Sequence, residues 1–92
     1  MNELKVLLNR VETALKLLAY NSELSFVHQG IKYEVHSVRR DGTLVITLGY
    51  VNTRTVTDRE MIEKIAECAP NWIPFYDEGE FMGWSIRCEV LL

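Results

Sequence analysis

The side chains best suited to metal or thiol chemistry are Cys68, Cys88, His28 and His36, which account for all cysteines and histidines of the 92-residue chain. A tetrahedral zinc site draws on close ligand pairs a few residues apart, and none of these four residues is spaced that way. Cys88 alternates with Trp84 and Ile86, which marks it as a small core residue rather than a nucleophile. No GxxxxGK[ST], HExxH, GxSxG or GxGxxG pattern occurs, so the phosphate, zinc-hydrolase, nucleophile-elbow and dinucleotide signatures are missing. The expectation is a protein with no catalytic residues, no metal and no cofactor. His36 beside Arg39 and Arg40 is placed to grip an anion, but a lone surface histidine is usually incidental. Asp77, Glu78 and Glu80 are magnesium-type oxygen donors with no phosphate grip to accompany them.

Those three acids lie within NWIPFYDEGEFMGW, residues 71–84, a stretch that holds five of the nine aromatic residues. Trp84 sits on the apolar side of an alternating segment, and Trp72 closely follows a helix stop, so burial is expected for both. Pro70 and Pro74 stiffen one side of the stretch, and Gly79 and Gly83 loosen the other. Between them Phe75, Tyr76, Asp77, Glu78, Glu80 and Phe81 read as a short irregular loop or one helical turn. These six residues, interrupted only by Gly79, cannot all face inward in regular structure, and unpaired carboxylates are costly to bury, so the acids should be exposed. One reading is a solvated acidic loop with its aromatics tucked beneath it. The other is an interaction site with aromatic anchors and a charged rim, enlarged by Glu60, Glu63 and Glu67 on the preceding helix. Such a surface attracts a basic partner.

The elements that must position these residues follow from periodicity. Leu4, Leu7, Leu8, Val11, Ala14, Leu15 and Leu18 recur at intervals of three and four, which predicts an amphipathic helix from Asn2 to about Leu18. Leu24 to His28 and Ile31 to Val38 read as strands joined at Gln29-Gly30, with Ile31, Tyr33 and Val35 facing one way and Lys32, Glu34 and His36 the other. Asp41-Gly42 signals a hairpin to a third strand, Thr43 to Tyr50, because both turn residues tolerate positive φ. Thr57-Asp58-Arg59-Glu60 fits a capping box, and Met61, Ile62, Ile65, Ala66 and Ala69 give the following helix an apolar face until Pro70 ends it. Trp84, Ile86, Cys88 and Val90 alternate with Ser85, Arg87 and Glu89 as a final strand.

The order predicted is helix-strand-strand-strand-helix-strand in one small α+β domain over residues 1–92, mainly antiparallel, with both helices on one face. The open face would carry Lys32, Glu34, His36, Val38, Val45, Thr47, Ser85, Arg87 and Glu89. A chain of this length buries roughly 60–70% of the surface it exposes when unfolded, enough to fold without metal or disulfide. Net charge of −3 argues against a generic nucleic-acid binder, although Arg39 and Arg40, with Lys32, Arg54 and Arg59, would form the best basic patch. MNELKVLLNR lacks the pattern of a secretory signal and no apolar run is long enough to span a bilayer, so a cytoplasmic protein with reduced cysteines is expected. These features predict a small acidic protein-binding module that contacts a basic, nucleic-acid-binding surface of another protein. Its size and charge match those of inhibitors from phages and mobile elements, an analogy with no motif behind it. The alternatives are a self-associating subunit using the open sheet face or a strand edge, and a small ligand-binding domain or enzyme.

Overall fold

The computed structural model describes residues 2–18, 21–51 and 55–89. Helix α1 (Glu3–Leu18) is followed by strands β1 (Ser22–His28), β2 (Ile31–Arg40) and β3 (Thr43–Tyr50). Helix α2 (Asp58–Cys68) then leads to β4 (Ile73–Asp77) and β5 (Glu80–Glu89). The five strands form one antiparallel sheet in the order β1-β2-β3-β5-β4. The α+β architecture is the one the periodicity predicts, with one strand added. The last strand does not sit at an edge; it inserts between β3 and β4. Val90 and Arg54, assigned above to the final strand and to the basic patch, lie outside the described residues.

Three two-residue turns close the hairpins, and all three pair a residue at φ 50° with a glycine: Gln29-Gly30, Asp41-Gly42 and Glu78-Gly79. Positive φ at both central positions gives the turn whose twist matches that of the strands it joins. The Glu78-Gly79 turn overturns the reading of residues 75–81 as a loop or helical turn. Phe75, Tyr76 and Asp77 are in β4, and Glu80 and Phe81 open β5.

Asn2 caps α1, its side-chain Oδ1 accepting from the Leu4 and Lys5 amides at 3.0 and 3.2 Å. Thr57 caps α2 in the same way, its hydroxyl accepting from the Glu60 amide at 3.2 Å, but Glu60 returns no bond, so only half of the capping box forms. The buried row of α1 is Leu4, Leu8 and Leu15, with Val11 packed against it, while Ala14 and Leu18 of the predicted stripe are exposed. On α2 the exposed Ala66 gives way to Cys68, which is buried with Met61 and Ile65. Two helices share one sheet face, so each has room to bury only a narrow row.

These rows meet Ile31, Tyr33, Val35, Leu44, Ile46, Leu48, Trp72 and Trp84 in a single core. The molecule's shortest dimension is 20 Å, the thickness of one sheet and one helix layer, so the other sheet face is uncovered. Lys32, Glu34, His36, Val38, Val45, Thr47, Ser85, Arg87 and Glu89 lie there, exposed or half-buried. Among the described residues no helix is long and apolar enough to cross a membrane.

Tyr33 lies at the centre of the core, stacked on Phe26 with ring centroids 5.0 Å apart, and its hydroxyl has no hydrogen-bond partner. Burial, with a smaller contribution from the nearby Cys68 thiol, pushes its pKa up to about 12. The folded state therefore holds this proton up to about pH 12, while the unfolded chain releases it near 10. The resulting stability is complete below pH 10 and is lost as pH rises from 10 to 12. Urea unfolding at pH 8 and 11.5 should show Tyr33→Phe equal to or more stable than wild type at pH 8, since the variant leaves no orphan hydroxyl. At pH 11.5 the variant should lose less, by on the order of 2 kcal/mol. Equal alkaline losses in both proteins would refute this account of Tyr33.

Candidate functional site

Strand β5 is ten residues long, and its two neighbours cover different halves of it. β3 pairs with Trp84 to Glu89, and β4 pairs with Glu80 to Ser85, so the upper hairpin projects past the end of β3. Projection follows from the register, since the chain leaves β3 at Tyr50 to enter the segment before α2. The hairpin is the part of the molecule where aromatic and acidic residues coincide.

A bulge sets how those residues point. Ile73, Pro74 and Phe75 face Ser85, Trp84 and Gly83, after which the register shifts and Tyr76 faces Phe81, leaving Met82 unpaired. In a regular ladder Phe81 would point to the opposite face from Trp84; the extra residue brings both to the helix side. Phe81 then packs edge-on to Trp84 at 4.9 Å, Tyr76 edge-on to Phe81 at 5.8 Å, and Tyr50 lies 6.1 Å from Trp84 on the other flank. This row of rings runs from the fully buried Trp84 out to Tyr76, which is 56% exposed. Edge-to-face pairs of this kind add about 0.5–1.5 kcal/mol each beyond the area they bury. Among the described residues no third strand pairs with this end of the hairpin, which is fixed to the core through side chains.

Phe75 lies on the opposite, open face, above Gly83. A side chain at residue 83 would place its Cβ 2.3 Å from the Leu48 carbonyl oxygen, and Gly83 has φ 129°, a conformation other residues rarely adopt. The close approach of β5 to β3 depends on this glycine.

Asp77, Glu78 and Glu80 surround the turn, all exposed, and among the described residues none of them makes an ion pair. Tyr50 donates a hydrogen bond to Asp58 at the start of α2, and Tyr50, Asp58, Phe81 and Met82 line a small cleft beside the hairpin. Burial first, then this bond and the charges of Asp58 and Glu60, hold the Tyr50 phenol protonated well above its usual range. Glu60, Glu63 and Glu67 follow at spacings of three and four along an exposed side of α2, with Glu63 3.4 Å from Arg59 and Glu67 about 13 Å beyond Asp58 along the helix axis. Asp58 meets the flank of the hairpin through Tyr50.

Three residues of the finger and its flank have no counterpart in the sequence reading. Ile73 and Met82 are 58% and 50% exposed, and Asp58 joins through Tyr50. The Glu78-Gly79 dipeptide was the available signal for the turn, and the turn places Ile73 and Met82 on one hairpin. Of the described basic residues, Lys32 stands at the opposite end of β2 from Arg39 and Arg40, Arg59 lies 3.4 Å from Glu63, and His36 faces Glu23 at 3.5 Å across β1. Both cysteines are free thiols, and among the described residues no group of three or more His, Cys, Asp or Glu side chains converges to hold a metal. No family model, curated protein or solved structure matches the chain.

Gly83→Ala should lower stability by at least about 2 kcal/mol, from the clash with Leu48 and the positive φ together. Gly49→Ala is the control: nothing lies within 4 Å of its added Cβ, and the cost should stay near or below 1 kcal/mol. Denaturant midpoints for the two variants decide the point, and similar midpoints would remove Gly83 from its structural role.

Proposed function

We propose that this protein is a binding module whose β4–β5 hairpin occupies a basic surface on another protein. The observation that carries this reading is the composition of the projecting finger. Three carboxylates with no ion pair among the described residues crown it, and Tyr76 and Met82 expose apolar surface on the same hairpin. A solvated connector needs the acids but gains nothing from two large apolar side chains held in water. An interface uses both, with apolar groups supplying affinity and charge supplying orientation and association rate.

The finger is also ordered in advance. Phe81 and Trp84 anchor it from behind, so the position of the hairpin is fixed before docking. Asp58, bonded to Tyr50 beside the hairpin, extends the negative surface at the α2 end, and Glu60 follows it on α2. A partner surface built to hold nucleic-acid phosphates would offer the matching charge. Competition for that surface would make this chain an inhibitor of the phage or mobile-element type.

Affinity capture from a lysate, run beside the triple variant Asp77→Asn, Glu78→Gln, Glu80→Gln and beside Tyr76→Ala, tests the reading. A stoichiometric partner should be retained by wild type at low salt and released at high salt, and binding by the triple variant should fall at least tenfold with weaker salt dependence. Tyr76→Ala should weaken binding at every salt concentration. A partner held equally well by all three proteins would displace the hairpin from the mechanism.

A further inference from the structure

The lower half of β5 presents a second feature, at the end of the strand opposite the acidic tip. β3 pairs with β5 as far as Glu89, whereas β4 begins at Ile73 opposite Ser85. Among the described residues no strand covers Ile86 to Glu89 on the β4 side, so alternate backbone N–H and C=O groups there face an opening. The opening is a cleft of about 840 Å³, lined on one side by Ser85 to Glu89 and on the other by Glu12 and Lys16 of α1 and by Asn71. Its far wall is braced: Glu12 accepts from Lys16 Nζ at 2.6 Å and from Asn71 Nδ2 at 3.0 Å.

We infer that this edge pairs with the same edge of a second copy, forming a two-fold symmetric dimer through β5. The pleat and the charges select both the occupant and the register. For two sheets to continue with their helix layers on one side, inward residues must oppose inward residues, which limits self-pairing to registers centred on a single residue. Centred on Arg87, the pairing sets arginine against arginine; centred on Glu89, it sets glutamate against glutamate. Centred on Cys88, it places each Arg87 opposite the Glu89 of the other copy, twice by symmetry, with the two small Cys88 side chains facing each other beneath. Arg87 and Glu89 both lie exposed on the open face, so these cross-strand pairs form without burying a lone charge. An antiparallel edge with opposite charges two residues apart is complementary to itself. The short seam makes this a dimer that dissociates on dilution, and it leaves the acidic tip of each copy open.

Sedimentation equilibrium over a wide concentration range tests the inference, with circular dichroism to verify folding of each variant. Wild type should approach twice the 10.7 kDa chain mass as concentration rises. Arg87→Glu alone and Glu89→Arg alone should each remain monomeric, since each sets like charges opposite one another. An equimolar mixture of the two single variants should form a heterodimer, and the exchanged double variant Arg87→Glu, Glu89→Arg should recover the homodimer. A wild-type protein that stays monomeric throughout would overturn the inference. So would a dimer that both single variants retain, because that dimer would use another surface.

Discussion

The structure depends on the point where β5 is held from both sides. Only Trp84 and Ser85 have partners on β3 and β4 at once; above them β5 is tied to β4 alone, and below them to β3 alone. Trp84 is fully buried and meets Tyr50 and Phe81, so the two half-strands are joined where the core grips hardest. Loss of that grip would leave the upper hairpin as an isolated two-stranded element, which is marginal in water. Gly83 lies immediately beside this point and permits the close backbone approach that the pairing requires. The projecting finger and the open lower edge are both consequences of the same offset in register.

The core that holds Trp84 is determined by shape more than by polar bonding. Tyr33, Trp72 and Trp84 each bury a donor without a hydrogen-bond partner. Such groups cost free energy, which the large apolar area of the same side chains offsets. Polar contacts at the periphery include the helix caps of Asn2 and Thr57, Asn71 with Glu12, and Tyr50 with Asp58. They fix where helices begin and how the connection after α2 crosses to β4.

The first three strands and both helices were legible because each signal there is local. Alternation and the residue–glycine turns marked β1 to β3, and three- and four-residue spacing marked both helices, with the Thr57 cap in addition for α2. Residues 73–83 resisted because the Met82 bulge breaks strict alternation, and Pro74 and clustered aromatics hid a five-residue strand. The exposure of Asp77, Glu78 and Glu80 followed from desolvation cost alone and holds. Their relation to Glu60, Glu63 and Glu67 did not follow, because it depends on the direction in which α2 leaves Asp58. The place of β5 in the sheet depends on long-range pairing, for which a single sequence carries no local mark.

The two strand edges flanking β5 differ in composition, and the difference suits them to different kinds of contact. β4 carries Pro74, which has no backbone donor, and ends in acids at the turn; both features discourage addition of a further strand. Under the proposed function, a partner would read the finger through its side chains, with charge and aromatic surface discriminating among partners. The lower edge of β5 has no proline and lies beside a braced wall, so its free groups are backbone groups. Backbone pairing is indifferent to sequence, and discrimination there falls to the flanking Arg87 and Glu89. Taken together, the proposed partner contact and the proposed dimer would give one strand side-chain recognition at one end and main-chain recognition at the other, separated by the buried Trp84.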